Sequence, residues 1–159
     1  MNKLNLKNKK GFTLVELLAV IVVLAIIILI AMPAVLSSME KARKNSFAVE
    51  ANEVIRAAQT AYADAVMNGK ASGNSICVPY NYLKNGFLEK NDSNYNGSVL
   101  ITINPASGQA SYNIYLSNSN YTVDPTKNTP DIDSSKVKQV TSGTTASNDC
   151  NKAAGIVLE

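Results

Sequence analysis

The feature that most constrains this chain is an unbroken apolar run near its start. The stretch "LLAVIVVLAIIILIAM", from Leu17 to Met32, places 16 apolar residues in succession, and more apolar residues flank it on both sides. A helix of about 20 such residues crosses the hydrocarbon core of a bilayer. Four lysines lie within residues 3–10. By the positive-inside rule this end is cytoplasmic, and everything after Pro33 lies outside.

The remaining composition excludes several classes of function. The net charge of +3 comes from those four lysines, because beyond Gly11 the chain has 11 basic against 12 acidic residues. A balanced surface does not predict nucleic-acid binding, which needs clustered cations. The chain has no histidine, the commonest general base. The two cysteines, Cys77 and Cys150, are too far apart in sequence to form a C-x-x-C or zinc cluster. We expect no enzyme activity, cofactor or metal site.

One carboxylate, Glu16, lies at the start of the apolar stretch. A charged side chain near a bilayer centre costs roughly 2.5–3.5 kcal/mol on insertion scales. A secretory signal peptide does not explain it, since the apolar run exceeds the usual length of about 7–15 residues and no small-x-small cleavage site follows. A plain signal anchor leaves Glu16 equally unexplained. The residues around Glu16 therefore decide the class of protein.

The stretch "KKGFTLVELL" resembles the prepilin peptidase site of type IV pilins and their relatives. It has basic residues, a glycine at Gly11, an aromatic residue at Phe12 and a glutamate four residues later. The resemblance is specific from Lys9 to about Pro33 and extends to the rest only in layout. It implies that a membrane aspartyl peptidase removes residues 1–11 as a leader and methylates the new amine of Phe12. Glycine suits the cut because it has no side chain to obstruct an extended peptide in the active site.

The resemblance also implies a role for Glu16, which would pair with the Phe12 amine of a neighbouring subunit as helices pack into a filament. The protein would be a single-pass membrane protein first and an extracellular pilus subunit on the bacterial surface afterwards. Its partners would be copies of itself, other pilins, the prepilin peptidase, and the inner-membrane platform with its ATPases. Motility, adhesion, biofilm formation and DNA uptake are all uses of such filaments. The alternatives are a pseudopilin of a secretion or competence system and a signal-anchored adhesin.

Beyond Pro33 the apolar residues become periodic, which is typical of an amphipathic helix. The stripe consists of Phe47, Ala51, Val54, Ile55, Ala58, Ala61, Tyr62, Ala65 and Val66. We predict one helix from Phe12 to about Met67, near 80 Å long at about 1.5 Å per residue, with Gly69 as its C-cap. Residues 12–35 would form its membrane and filament-core half, and residues 36–67 its amphipathic half. Pro33 predicts a kink, either a static bend or a segment that unwinds in filaments.

Residues 68–159 are predicted to form a head with an antiparallel sheet. The segments 99–104 and 110–116 are rich in β-branched and aromatic residues and predict a hairpin, residues 120–123 a third strand, and 136–141 a weaker fourth. Together these elements predict an α+β fold in which the long helix packs against a small antiparallel sheet, the arrangement of type IV pilins.

Two further features of the head have more than one interpretation. Cys77 and Cys150 form a disulfide or remain buried thiols; export permits the bridge, and many pilins close a C-terminal loop in this way. "DSNYNG", from Asp92 to Gly97, matches the first half of an EF-hand loop. The acidic ligand that should end such a loop is replaced by Ile103, so we interpret the segment as a polar turn.

Overall fold

The computed structural model describes residues 11–71, 73–89, 94–123, 131–140 and 156–158. The chain divides into two compact units, Met1–Glu40 and Lys41–Glu159, and each is described by itself. Within the described residues the elements are two helices, α1 and α2, and six strands, β1 to β6. In chain order they are α1 Leu14–Met67, β1 Ser75–Pro79, α2 Tyr80–Lys84, β2 Asn96–Ile103, β3 Ala110–Ser117, β4 Tyr121–Val123, β5 Val137–Gln139 and β6 Ile156–Val157.

In the first unit, α1 presents apolar side chains with nothing from the described chain to cover them. Every large apolar residue from Leu14 to Leu36 is at least half exposed. Among the described residues, α1 is the one helix long and apolar enough to cross a membrane, and none of its most apolar 18-residue window is buried. Pro33 lies inside this part of the helix, with helical residues on both sides.

The C-terminal end of α1 lies at Met67, as predicted. Gly69 has φ of 70°, a left-handed conformation that glycine adopts without strain. The backbone N–H of Gly69 donates to the carbonyl of Val66 at 3.1 Å, and that of Lys70 donates to the carbonyl of Ala65 at 2.8 Å. This pair of bonds defines a Schellman motif, which satisfies the carbonyls that a helix end would otherwise leave unpaired.

The second unit contains a six-stranded sheet in the order β5-β4-β3-β2-β1-β6. All neighbours are antiparallel except β1 and β6, which pair in parallel. The predicted hairpin is confirmed as β2 and β3, which pair from Asn96↔Ser117 to Ile103↔Ala110. The third predicted strand is confirmed as β4. The fourth is observed as the three-residue β5, inside the segment predicted for it.

The sheet is larger than predicted, because the sequence analysis missed β1, β6 and the short helix α2. Between Ser75 and Pro79, β1 consists of the apolar residues Ile76, Cys77 and Val78, and all three are buried. The strand lies between β2 and β6. Such a strand does not alternate between apolar and polar residues, so the period-2 signal is absent. β6 has two residues and is held by pairing with a strand some 80 residues earlier in the chain.

The core of the second unit forms between α1 and one face of the sheet. The predicted stripe is buried at Phe47, Ala51, Val54, Ile55, Ala58, Ala61 and Ala65. Tyr62 is half-buried, but Val66 was wrongly included, since it is 46% exposed. The sheet contributes Ile76, Val78, Val99, Ile101, Ile114, Leu116, Val123 and Val137. The buried stripe of α1 and these sheet residues belong to one core cluster, which confirms that the helix packs against the sheet.

A hydrogen-bonded clamp joins α1 to the loop before β5. The side-chain amide of Asn52 donates to the carbonyl oxygen of Ile132 at 2.8 Å, and the backbone N–H of Ile132 donates to Oδ1 of Asn52 at 2.7 Å. Asn52 thus satisfies both backbone groups of Ile132, which is itself buried in the core. A half-buried amide with both partners satisfied stabilises the loop position without an unpaired polar group.

Candidate processing and assembly site

The predicted cleavage point lies in a segment without helix or strand structure that precedes helix α1. Gly11 and Phe12 have no helical hydrogen bonding, and both are exposed, with the Phe12 side chain 89% accessible. A Cβ built on Gly11 would meet no atom within 4 Å, so the structure of this chain does not itself require glycine there. A peptidase must bind its substrate in an extended form, and this peptide bond is already non-helical and accessible.

Thr13 and Glu16 form a capping box at the start of α1. The backbone N–H and the hydroxyl of Thr13 each donate to Oε2 of Glu16 at 2.8 Å. In return, the backbone N–H of Glu16 donates to Oγ1 of Thr13 at 3.3 Å. The carbonyl of Thr13 accepts the first helical bond, from the N–H of Leu17 at 3.2 Å. Thr13 is therefore the N-cap, and α1 begins two residues later than the predicted start at Phe12.

The capping box changes how the position of Glu16 is explained. The sequence predicts the amine of Phe12, created by cleavage, as the partner of this carboxylate, whereas the structure gives it two hydrogen bonds from Thr13. Hydrogen bonds to a charged group are stronger than those between neutral groups, so these two bonds offset part of the cost of placing the carboxylate beside an apolar run. An anion in the first turn is also stabilised by the helix dipole. Glu16 is thus partly compensated before any second chain arrives.

Thr13 is the functional residue that the sequence analysis missed. The signal was present, because Ser or Thr followed three residues later by Glu, just before an apolar run, marks a helix start. "TLVE", from Thr13 to Glu16, satisfies that pattern. The helix start and the processing signal therefore overlap in the same residues.

The other predicted site residues lie apart from the capping box. Pro33 lies within α1, about five turns further along the helix. Cys77 is disulfide-bonded and 1% exposed in β1. Its predicted partner, Cys150, lies outside the described residues, and it is the only other cysteine in the sequence.

The EF-hand-like segment enters a strand. Asn96 and Gly97 are the first two residues of β2, and Ile103 is the last, while Asp92 lies outside the described residues. The described part of the chain contains no group of three or more His, Cys, Asp or Glu residues that could hold a metal ion. The backbone of β2 is hydrogen-bonded to neighbouring strands, and an extended paired backbone is unsuited to curving around a cation.

Comparison with known proteins gives one match, at the N-terminus. Residues 6–32 match the family model described as the prokaryotic N-terminal methylation motif. This motif is the signal found on type IV pilins and pseudopilins, and it does not distinguish between them. No curated protein and no solved structure matches the chain. The motif contains Gly11, Phe12, Thr13 and Glu16 and ends one residue before Pro33. Together with the apolar helix, it fits a membrane-anchored precursor of the pilin-like class.

Proposed function

We propose that this protein is a structural subunit that polymerises into a type IV pilus on the bacterial surface. The observation that carries the proposal is the methylation motif over residues 6–32, which leads directly into an apolar helix with no cover from the described chain. A lone apolar helix requires lipid or other helices around it. A precursor held in the membrane and a filament core of packed helices provide these two environments in turn.

Processing would begin with a cut between Gly11 and Phe12. Both residues are exposed and precede the N-cap Thr13, so a cut between them leaves the capping box and the helix intact. The mature chain would then start one residue before the cap. The methylated amine of Phe12 would carry a positive charge close to the carboxylate of Glu16.

Assembly would bring the Phe12 amine of one subunit to Glu16 of a neighbour. Oε2 of Glu16 accepts both bonds from Thr13, whereas Oε1 makes no hydrogen bond to the described part of the chain. One carboxylate can therefore keep its capping box and also receive an amine on its other oxygen. A buried ion pair is favourable only with good geometry and additional hydrogen bonds, and the capping box supplies those bonds.

The partners in this proposal are the prepilin peptidase, the inner-membrane platform with its ATPases, other pilins and further copies of the chain. The motif fits a pseudopilin equally well. Electron microscopy of filaments from native cells separates the two, since a pilus extends from the surface and a pseudopilus stays short. A signal-anchored adhesin would keep residues 1–11.

The first experiment is the identification of the N-terminal residue of protein recovered from cells. Peptide mass spectrometry should find N-methyl-phenylalanine at position 12. A Gly11→Leu variant should retain its leader, because the larger side chain obstructs the peptidase, while the fold stays unchanged since nothing lies near Gly11. Native material that still carries residues 1–11 would overturn the proposal.

The second experiment tests assembly through Glu16. Glu16→Gln keeps a hydrogen-bond acceptor for Thr13 but removes the charge that pairs with an amine. We expect normal cleavage and membrane retention with a loss of sheared filaments of roughly tenfold or more, because every added subunit would lack the ion pair. Glu53→Gln, at an exposed acidic residue in the second unit, is the matched control and should assemble normally. Equal yields from the two variants would refute the assigned role.

A further inference from the structure

A groove of about 460 Å³ lies on the second unit, apart from the residues used by the proposed function. α1 forms one wall, and the other wall consists of the turn between β3 and β4 together with the edge strand β5. Its lining residues are separated by up to 96 positions in sequence, so only the folded unit brings them together. Most of its surface is polar, unlike the core beneath it.

The polar groups of the groove are mainly uncharged amides. Asn118, Asn120 and Gln139 line one wall, and one cation and one anion, Arg43 and Glu50, lie on α1. An amide offers both donors and acceptors, as a hydroxyl does. A phosphate or polyanion would need a cluster of cations, whereas Arg43 is the one cation among the described lining residues. This composition suits a ligand that is uncharged and rich in hydroxyl groups.

Aromatic rings provide an apolar surface beside these amides. Phe47 stacks on Tyr95 with ring centroids 5.8 Å apart, and Tyr121 is tilted against Phe47 at 5.9 Å. All three residues line the groove, and Tyr95 is half-exposed. A pyranose ring has an apolar C–H face and a polar rim of hydroxyls, so an exposed aromatic surface with amides beside it complements both.

The amide wall is held in position before any ligand arrives. Oδ1 of Asn118 accepts from the backbone N–H of Asn120 at 2.9 Å and of Tyr121 at 2.7 Å. The backbone N–H of Asn118 donates to the carbonyl of Tyr121 at 2.9 Å, which closes the turn. The side-chain oxygen is thus occupied, and Nδ2 makes no hydrogen bond to the described part of the chain. A donor fixed in this way loses little entropy on binding.

We propose that this groove binds a neutral oligosaccharide, with Asn118 and Gln139 as hydrogen-bonding residues and Tyr95 as the apolar contact. The inference does not depend on pilus assembly, because none of these residues belongs to the processing or assembly site. A monomer that never polymerises should bind equally well.

The test uses the full-length chain in lauryldimethylamine oxide micelles, a detergent without a sugar headgroup. Chitotriose, maltotriose and globotriose are titrated by isothermal calorimetry, with 3′-sialyllactose as the acidic comparison. At least one neutral trisaccharide should bind. Asn118→Asp keeps an oxygen that can cap the turn but lacks the NH₂ donor, so it should weaken binding about tenfold, the effect of one lost hydrogen bond.

Gln139→Ala should have a similar effect, and it does not alter the β3–β4 turn. Gln109→Ala, at an exposed glutamine in the turn between β2 and β3, is the matched control and should leave affinity unchanged. Unchanged melting temperatures would show that each variant is folded. The proposal is overturned if no neutral trisaccharide binds, if only sialyllactose binds, or if folded Asn118→Asp and Gln139→Ala retain full affinity.

Discussion

The two units of this protein differ in their apolar side chains, which are exposed in the first unit and buried in the second, although helix α1 contributes to both. In the first unit Leu29 and Ile30 are 80% and 73% exposed. In the second unit Ile55 is 1% exposed and Ala58 is completely buried. The residues of the first unit are more hydrophobic than those of the second. Hydrophobicity alone therefore does not decide which part of this helix is covered by its own chain.

The difference follows from what each part of the helix packs against. From Phe47 to Ala65 the apolar residues form one stripe, and the sheet of the second unit covers it. From Leu17 to Met32 they surround the helix on all sides, which no single sheet face could cover. Such a surface is stable only in lipid or among other helices. The contrast predicts which substitutions affect unfolding of the chain and which affect only insertion or assembly.

The largest expected effect on the second unit comes from its disulfide. Cys77 is disulfide-bonded, and we predict Cys150 as its partner because the sequence has no other cysteine. Reduction should lower the free energy of unfolding by roughly 4 kcal/mol in the chain-entropy model for a long loop. Chemical unfolding with and without dithiothreitol measures the loss, and non-reducing mass spectrometry identifies the bridge. Two thiols that can be alkylated in unreduced protein would contradict it.

The same substitution in the two parts of α1 tests the comparison directly. Ile55→Ala should lower the free energy of unfolding by about 3 kcal/mol, through lost burial and a cavity. Ile27→Ala removes the same atoms from a side chain that is 55% exposed, so unfolding should stay within about 0.5 kcal/mol of the wild type. Urea titration of the full chain in detergent micelles compares them. Similar losses would mean that Ile27 is also covered by this chain.

Contacts between residues close in sequence were predictable from the sequence, whereas contacts between distant residues were not. The end of α1 at Gly69, the stripe from Phe47 to Ala65 and the hairpin of β2 and β3 all follow from short-range rules. The capping box of Thr13 and Glu16 was equally predictable, since its pattern lies within four residues. Local chemistry therefore specifies the helix start beside the proposed processing site almost completely.

The sequence has no comparable local pattern that predicts contacts between distant residues. Asn52 and Ile132 are 80 residues apart, and nothing in either segment indicates that they meet. β1 and β6 are too short and too uniformly apolar to show a strand period, and their parallel pairing arises only in the folded sheet. The groove with Asn118 and Gln139 depends on these long-range contacts, which explains why the sequence analysis did not find it.

A smaller effect is expected at Gly97 in β2. A Cβ on Gly97 would lie 1.9 Å from the carbonyl oxygen of Tyr115 in β3, and its φ of 156° is rarely adopted by other residues. Gly97→Ala should destabilise the second unit by about 2 kcal/mol, because the hairpin must shift or accept strain. Gly86→Ala, where a Cβ meets nothing within 4 Å, is the control and should be nearly neutral. Equal thermal melting curves would show that the hairpin tolerates the added methyl group.

The smallest effect concerns an exposed charge in the loop that Asn52 clamps. The hydroxyl and the backbone N–H of Ser135 both donate to Oδ1 of Asp133, and they lower the pKa of this carboxyl below its ordinary value of 3.8. The folded state therefore favours the ionised form. Its contribution to stability is present above pH 3.8 and is lost as the pH falls through the lower folded pKa.

Asp133→Asn removes this titration, so wild type should exceed the variant slightly in melting temperature at pH 6, and the difference should shrink as the pH is lowered below 3.8. Asp64→Asn, at an exposed acid on α1, controls for the change in net charge. The effect stays small because water surrounds Asp133 and screens it. If the difference instead grew on acidification, Ser135 would not be stabilising the ionised carboxylate. The loop would then depend on the clamp between Asn52 and Ile132, in keeping with a second unit held by buried contacts and not by surface charge.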